Sequence, residues 1–381
     1  MKNIKKQINE ILYKFDLRFS KIIKMPKDIN YKFHVENDIN KAFKIQPEII
    51  EQIFAFYDNI DPFYEGMNIR KELKIGRGWT HILKESRKNQ IELIKNSDKA
   101  GYSKLLENMF FNEIVTGLWN YNYFNKSLFS TRLPNQFLEV CNLFEKVTST
   151  SLKTIASDNV WHIWGAKTEN GVIPYNSPDH SLQAFNIINL LSFIDDSDRI
   201  FNVLDLGSGY GGMCEKLLNP YFKKNKVISV FLIDVPLNLT TAYAYLAQRF
   251  GVEKIKLIKD RSETKQIKPE DGRIWLIPTI YLEDLKVKID VVNNSQSLSE
   301  MDEENIKYYI DLLLKDTTTF FIETNVNDVN TSIKHGDYRE IYSRNFPIPN
   351  SHRLFAKFSA PEFSSRYVTS IYGLKSFLGK T

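Results

Sequence analysis

The stretch FNVLDLGSGYGGMCEKLL, Phe201 to Leu218, places four glycines within six positions, between an apolar run and a helical pattern. Glycine has no Cβ, so it adopts the conformations of tight turns and lets backbone N–H groups approach a ligand closely. The helix after such a turn adds unpaired N–H donors and the positive end of its dipole. The sequence therefore predicts a strand, a ligand-binding turn and a helix in this order.

Strand and helix patterns alternate on both sides of this turn. Apolar runs of strand length alternate with longer segments of helical periodicity, and such units form a parallel sheet covered by helices on both faces. We therefore predict an α/β, Rossmann-like fold, with Ser177 and Pro178 as the cap and first residue of the helix before the first strand. The predicted strands are 202–206, 227–234, 273–277, 290–294 and 318–325, followed by closing antiparallel strands after residue 347, and the predicted helices are 211–218, 237–250 and 303–314.

The chain divides by pattern into residues 1–155, predicted as a mainly helical region, and residues 156–381, predicted as the α/β domain. Up to about residue 155, apolar residues recur three and four positions apart. Ile4 to Ile23 form an amphipathic pattern with Lys and Arg on much of the opposite face. Such a helix docks on its own protein or on a second subunit, or binds an anionic membrane surface, and the sequence leaves these alternatives open.

Composition excludes several classes of protein. The chain of 381 residues is 43% apolar, and its net charge of +5 comes without a Lys/Arg-dense stripe, so we expect a large core and no nucleic-acid partner. Cys141 and Cys214 lie far apart and provide neither a disulfide framework nor a Cys-based zinc site. Without a membrane-spanning run or a signal-peptide pattern, we expect a cytoplasmic protein, located at the inner face of the membrane if the N-terminal helix binds there.

The glycine spacing and two acids predict the ligand. Gly207, Gly209 and Gly212 fit the dinucleotide-binding pattern, and Asp234 ends the second strand, where a carboxylate accepts both ribose hydroxyls. This pattern by itself predicts NAD. Asp205, however, disfavours a pyrophosphate and suits the ammonium and sulfonium of S-adenosylmethionine. We predict that this cofactor binds at Asp205, Gly207, Ser208, Gly209, Gly211, Asp234, Val235, Thr279, Asn294 and Ser295, with Thr279 near the adenine.

Five stretches resemble a known enzyme family in the same order: VLDLGSGYGG, LIDVPLNLTTAYAYL, DVVNNSQSLSEMD, IKYYIDLLL and TTTFFIETN. Over about residues 160–330 the chain resembles the sugar O-methyltransferases of bacterial capsule and O-antigen clusters. The resemblance implies a class I methyltransferase core, S-adenosylmethionine as donor, a sugar or sugar-nucleotide hydroxyl as acceptor, and an acceptor-binding role for the N-terminal region. Val235 replaces the family's usual leucine, and the acid that would end the third strand is absent, so adenine recognition stays open.

Methyl transfer to an alcohol needs an aligned acceptor oxygen and one base to take its proton. Glu300, in the loop after the fourth strand, is one candidate base, with capping of the next helix as its alternative role. His180 is the other candidate, because the helix dipole disfavours the imidazolium and keeps the ring neutral; its alternative role is a polar residue at a helix start. Glu323, His162 and His335 are weaker candidates. We expect no metal, although some sugar O-methyltransferases use a divalent ion.

Four functions are consistent with the sequence. They are a sugar O-methyltransferase of surface polysaccharide biosynthesis, a methyltransferase acting on another small acceptor, an NAD-dependent dehydrogenase, and a non-catalytic scaffold that binds S-adenosylmethionine. The dehydrogenase would need a proton relay beside the cofactor, and we find no such relay in the sequence. The expected partners are a small sugar acceptor and, through the N-terminal helix, a second copy of the chain or a membrane surface.

Overall fold

The computed structural model describes residues 29–33, 44–65, 67–73, 75–110, 114–116, 132–156, 165–168, 171–194, 199–315, 317–327, 334–335, 338–339, 341–360 and 367–379. The predicted helix from Ile4 to Ile23 lies outside these residues, as does His162. His335 belongs to a two-residue strand of which the backbone is described.

The described part of the N-terminal region consists mainly of helices. Its helices and its strand are β1 (Ile29–Phe33), α1 (Pro47–Tyr57), α2 (Arg77–Ser86), α3 (Lys88–Lys95), α4 (Lys99–Glu107) and α5 (Arg132–Thr148). Strand β1 pairs with β2 (Gly165–Thr168), which also pairs with β3 (Gly171–Pro174), in a sheet of order β1-β2-β3. Helix α1 has proline in its first turn, where no N–H partner is lost. It buries Ile49, Ile53 and Phe56, which share one helical face.

An eight-stranded sheet forms the centre of the molecule. Its strands are β4 (Ile200–Leu206), β5 (Val227–Asp234), β6 (Ile255–Leu257), β7 (Ile274–Pro278), β8 (Val291–Ser295), β9 (Phe320–Val326), β12 (His352–Ser359) and β13 (Tyr367–Leu374), whereas β10 (Lys334–His335) and β11 (Tyr338–Arg339) form a separate hairpin. The order is β12-β13-β9-β8-β4-β5-β7-β6, and β13 runs antiparallel between β9 and β12. All five predicted strands are present within two residues of their predicted bounds, and the antiparallel closure is confirmed. Strand β6 was not predicted, because three residues are too few to show a period.

Helices cover both faces of this sheet. Every residue of β7 and β9 is buried, and a strand buried on both faces needs a packed layer on each side. The helices are α6 (Ser177–Phe193), α7 (Gly212–Leu217), α8 (Pro220–Lys223), α9 (Pro236–Phe250), α10 (Arg261–Lys265), α11 (Glu303–Leu313) and α12 (Lys375–Leu378). The predicted α/β, Rossmann-like fold class is confirmed. Among the described helices, none combines the length and the apolar character needed to cross a bilayer.

The start of α6 differs by one residue from the prediction. Asn176 occupies the cap position instead of Ser177, and no side chain caps the helix. The hydroxyl of Ser177 instead donates to the carbonyl oxygen of Ile155 at 3.3 Å, which makes it unavailable to the helix N-terminus. Pro178 lies in the first turn, as predicted, and so does His180.

The N-terminal helices pack against α9 of the α/β part. The hydroxyl of Tyr57 lies 2.8 Å from Thr240 Oγ1, and that of Tyr102 lies 3.2 Å from the same atom. Among the described residues, one cluster of buried apolar side chains runs from α1 into the main sheet, and another joins α5 to α6. Since both clusters include residues on either side of position 155, the domain boundary stays a prediction.

Candidate functional site

A cavity lies at the carboxyl ends of β4 and β5, where open α/β sheets bind their ligands. This β4–β5 cavity holds about 620 Å³ of empty space, which includes some open solvent. Its wall is shared between distant parts of the chain: it includes Leu206, Gly207, Ile233, Asp234, Val235 and Thr279 from the sheet side, and Leu73, Ile75, Gly76, Leu83 and Thr116 from the N-terminal region. The N-terminal region therefore helps to form the wall of this site.

Gly207 of the glycine turn after β4 (residues 207–212) lines the cavity, whereas Ser208 and Gly209, also predicted to bind the cofactor, do not. Gly207 has φ +73°, a left-handed conformation, and a Cβ there would lie 2.1 Å from Ser297 Oγ, so both backbone and packing require glycine. The N–H of Gly209 donates to Asp234 Oδ2 at 2.8 Å. The hydroxyl oxygen of Ser208 is buried and has no hydrogen-bond partner in the described structure. Because such buried hydroxyls are rare, Ser208 is suited to meet a polar ligand group.

The last two glycines of the turn serve helix packing. A Cβ on Gly211 would lie 2.7 Å from Leu246 Cδ1 of α9, and one on Gly212 would lie 2.5 Å from His180 Cε1 of α6. These glycines let α7 approach both neighbouring helices, and neither lines the β4–β5 cavity. The predicted cofactor contact of Gly211 stays a prediction, and packing already explains this glycine.

Asp234 is the acid of the cavity wall. Its Oδ2 accepts from Gly209 N, and its Oδ1 accepts from Val235 N at 2.7 Å and from Asn238 Nδ2 at 2.9 Å. An ionised carboxylate offers about four acceptor sites, so one site on Oδ2 is left for a ligand hydroxyl, where the sequence predicted two such contacts. Burial raises the pKa of Asp234 to about 6, and these three hydrogen bonds limit the rise because they favour the anion.

Asp205 lies beneath the glycine turn and does not line the β4–β5 cavity, although its neighbour Leu206 does. It is 4% exposed, and its Oδ1 accepts from Asn293 Nδ2 at 2.7 Å. Burial raises the pKa of Asp205 to about 7, the nearby Asp234 raises it further, and the hydrogen bond from Asn293 opposes the rise. Near neutral pH this carboxyl group is therefore partly protonated. Its predicted contact with the ligand's ammonium stays a prediction.

Asn294 and Ser295, predicted to bind the cofactor, lie at the end of β8 and do not line the β4–β5 cavity. Asn294 is fully buried, donates from Nδ2 to the carbonyl oxygen of Leu206 at 2.8 Å, and accepts from Asn325 Nδ2 at 3.0 Å. Ser295 Oγ accepts from Gln183 Nε2 at 3.4 Å. Asn294 thus holds the end of β4 in place, a supporting role one layer behind the cavity.

Val235 and Thr279, also predicted to bind the cofactor, do line the cavity. The hydroxyl of Thr279 lies 2.9 Å from that of Tyr64 in the N-terminal region and also hydrogen-bonds Tyr309 of α11. Tyr309 lines the cavity as well, but the sequence did not point to it or to Tyr64. Neither tyrosine follows a predicted strand or a glycine turn, which are the local patterns that predict ligand contacts in this sequence.

Glu300 and Glu323 are the acidic candidate bases. Glu300 lies in the loop after β8, as predicted. It ends a short turn of 3₁₀ helix, Leu298–Glu300, and is half-buried. Asp302 occupies the cap position of α11, so the alternative role of Glu300 as helix cap is wrong. Glu323 is fully buried and accepts hydrogen bonds from Ser343 and Asn325, which makes it a core group that no substrate reaches.

His180 lies beside the glycine turn on α6. Its Nδ1 is 3.4 Å from the hydroxyl of Tyr210, and the two rings are tilted at 5.6 Å between centroids. Burial lowers the pKa of His180 to about 3, with Lys216 lowering it further and Glu215 acting in the opposite direction. The ring is neutral at physiological pH, as predicted, but so low a pKa makes it a weak proton acceptor.

The sequence predicts a site without a metal ion. Among the residues that the structure describes, no three His, Cys, Asp or Glu side chains lie close enough together to hold a metal ion. His162 lies outside the described residues, and the side chain of His335 is not described. The expectation of metal-free chemistry stays a prediction.

Comparison with known proteins yields structural similarities. No protein-family model matches the chain, and no curated protein matches it. Similar solved structures include a candidate class I S-adenosylmethionine-dependent methyltransferase from Listeria monocytogenes, with 13% identity, TM-score 0.34 and coverage of 86% of this chain and 88% of that one. Magnesium protoporphyrin IX methyltransferase from Synechocystis with S-adenosylhomocysteine has 13% identity, TM-score 0.34 and coverage of 62% and 97%.

A further match is 1,6-didemethyltoxoflavin-N1-methyltransferase from Burkholderia thailandensis with its substrate and S-adenosylhomocysteine bound. It has 15% identity, TM-score 0.32 and coverage of 51% of this chain and 78% of that one. Identity and TM-score are low in all three matches, so none assigns an activity to this chain. The functional inference has to come from the residues of its own site.

Proposed function

We propose that this chain is an S-adenosylmethionine-dependent O-methyltransferase acting on a hydroxyl of a sugar or sugar nucleotide. The observation that carries the proposal is the contact between Gly209 and Asp234, which joins the glycine turn of β4 to the acid that ends β5 beside the β4–β5 cavity. A carboxylate in this position accepts a hydrogen bond from a ribose hydroxyl. The ligand at the turn is therefore a nucleoside.

The charges around the cavity favour S-adenosylmethionine over a dinucleotide. Among the described residues of its wall, Asp234 is charged, and none is Lys, Arg or His. The carboxylate of Asp234 disfavours a pyrophosphate, whereas S-adenosylmethionine carries a sulfonium and an ammonium that suit a nearby acid. The partnerless hydroxyl of Ser208 supports a polar ligand group at the turn.

Each part of the donor has residues suited to it. Asp234 would accept from the ribose, and Thr279 and the apolar wall with Leu73 and Ile75 would hold the adenine. Ser208, next to the wall residue Gly207, would meet the methionine part with its partnerless hydroxyl. When bound, the donor supplies an electrophilic methyl group. The chain itself must orient the acceptor hydroxyl and take its proton.

Glu300 is the base that we propose for the acceptor proton. It follows β8 at the ligand-binding end of the sheet, is half-buried, and lies next to Met301 of the cavity wall, although Glu300 itself does not line that wall. His180, whose pKa is about 3, holds a proton too weakly to serve well near neutral pH. His180 contacts Tyr210, and no residue of α6 lines the cavity, whereas Glu300 is the neighbour of the wall residue Met301, so the carboxylate is the better placed of the two candidates.

A sugar acceptor is the part of the proposal that rests on the family resemblance. Two of the resembling stretches, DVVNNSQSLSEMD and TTTFFIETN, form β8 with its following turn and β9. Asn325 in the second stretch bonds Asn294 in the first, and its Oδ1 accepts from Ser299 N at 3.2 Å, one residue before Glu300. The resembling residues thus support one another and the loop that carries the proposed base.

Titration calorimetry with S-adenosylmethionine, S-adenosylhomocysteine and NAD tests the donor, and methyl transfer to a panel of nucleotide sugars tests the acceptor. We expect binding of both sulfur ligands, weakened in Asp234→Ala and unchanged in the control Asp311→Ala on the exposed face of α11. Preferential binding of NAD would end the methyltransferase proposal. Transfer to another small molecule but to no sugar would reject the sugar acceptor, and donor binding without any transfer would favour the scaffold.

A further inference from the structure

A buried arginine stands behind the wall of the β4–β5 cavity. Arg87, between α2 and α3, is 3% exposed. Its Nη2 donates to Thr116 Oγ1 at 2.6 Å and its Nη1 donates to Gln90 Oε1 at 3.4 Å. Among the described residues, these partners of the guanidinium are neutral groups, and burial of a cation without a carboxylate in contact is costly. Burial lowers the pKa of Arg87 to about 10, which still leaves it charged at neutral pH.

Hydrogen bonds lead from this arginine to the acid of the cavity. Thr116 Oγ1 accepts from Arg87 and donates to Asn238 Oδ1 at 2.8 Å, and Asn238 Nδ2 donates to Asp234 Oδ1 at 2.9 Å. Every donor points in the same direction, towards Asp234. Because Thr116 occupies the oxygen of the Asn238 amide, the amide nitrogen must face the carboxylate.

We propose that Arg87 is a positioning residue for the donor, acting through Thr116 and Asn238 to orient Asp234 and keep it ionised. The proposal rests on the proposed function, because it takes Asp234 as the group that accepts from the donor's ribose. It assigns the N-terminal region a part in donor binding, beyond the acceptor-binding role that the family resemblance implies.

The electrostatics of the site agree with this role. Burial raises the pKa of Asp234, and the positive charge of Arg87 opposes that rise. The other ionisable groups that act on this carboxyl group are Asp205 beneath the turn and the hydroxyls of Tyr64 and Tyr309. Of these four groups, Arg87 is the cation. Without it, Asp234 would hold its proton to higher pH and lose acceptor capacity.

The test is donor affinity, measured by calorimetry with S-adenosylhomocysteine between about pH 5 and pH 9. Arg87→Met should weaken binding about five- to tenfold near neutral pH and displace the rise of affinity with pH to higher pH. Thr116→Val has nearly the same shape and breaks the hydrogen bonds while keeping the charge. Thr116→Val should weaken binding by a similar factor, and it should displace the pH at which affinity rises by less than Arg87→Met does. Arg70→Met, which removes an exposed arginine paired with Glu283, is the control and should match the wild type.

Four results separate the possible failures. If the unaltered protein does not bind S-adenosylhomocysteine, the proposed function and this inference both fall. If it binds and Arg87→Met keeps both the affinity and the pH profile, this inference alone is overturned. In an Asp234→Asn background, Arg87→Met should change the affinity by less than about twofold, since the arginine acts through that acid. If Arg87→Met does not fold, unchanged affinity in Thr116→Val overturns the inference instead.

Discussion

Asp205 is a buried carboxyl group, and its replacement by asparagine should make the protein more stable at neutral and alkaline pH. Burial raises its pKa from 3.8 to about 7, so the folded chain holds this proton more tightly than the unfolded chain does. The resulting stabilisation is fully present below the unfolded pKa, near 3.8, and is lost as the pH rises through about 7. Each tenfold change in proton affinity corresponds to about 1.4 kcal/mol, so the loss is on the order of 4 kcal/mol.

Asparagine at position 205 is a close test of this linkage. Its Oδ1 can still accept from Asn293, now 2.7 Å from the aspartate oxygen, and it carries no charge to bury. Guanidinium denaturation of the ligand-free protein between about pH 4 and pH 8 should show the free energy of unfolding falling more steeply in the wild type than in Asp205→Asn. Asp234 also titrates, near 6, but it is present in both proteins and largely cancels in the difference.

One control variant and two possible outcomes test this linkage. Asp311→Asn, on an exposed residue of α11, should give the wild-type dependence on pH. If Asp205→Asn loses stability with pH as steeply as the wild type does, Asp205 is not the buried acid that the structure describes. A wild-type free energy of unfolding that stays constant over this range would refute the linkage as well.

Further substitutions test the donor site, the base and the turn. Asp234→Ala should weaken donor binding by about 1.5–3 kcal/mol, because a buried charge-assisted hydrogen bond is lost; calorimetry that finds wild-type affinity in a folded variant would remove this residue from the site. Glu300→Gln should keep donor affinity and lose at least about a hundredfold in turnover, whereas His180→Gln should retain most of it, and the reverse would make the histidine the base. Gly211→Ala should lower the unfolding free energy by about 1–3 kcal/mol more than Gly272→Ala, since both glycines have positive φ but a Cβ on the first meets a leucine at 2.7 Å and one on the second meets nothing within 4 Å. If thermal or chemical unfolding shows that both variants lose the same unfolding free energy, backbone strain alone explains the loss and the contact with the leucine contributes nothing.

The main sheet could be predicted because its signals are local. Strand β4 is an apolar run followed by a glycine turn, and β5 is an apolar run followed by a helix start, so the bounds of β5 were predicted to the residue. The pairing of the turn with Asp234 was predictable for the same reason: parallel strands bring their carboxyl ends together, and Gly209 does donate to that acid.

Other parts of the site depend on contacts between residues that are far apart in the sequence, and no local pattern predicts such contacts. Arg87 and Thr116 reach Asn238 from a region remote in sequence, and one arginine at a junction of two helices looks like a solvated charge. Asn238 itself lies four residues after Asp234 at the start of a helix, a spacing that does bring side chains together and could have pointed to it. Asn294 was expected to touch the ligand because it ends a strand, yet three-dimensional packing buries it completely.

The shared wall of the β4–β5 cavity ties ligand occupancy to the association of two parts of the chain. Leu73 and Leu83 contribute one side of the wall, and Ile233 and Thr279 contribute the other. A ligand that fills the space contacts both sides, so mass action makes it resist any local opening that separates them. Proteases that cut the N-terminal helices in the opened state should then act more slowly as donor concentration rises, and the slowing would report how far this region participates in the site.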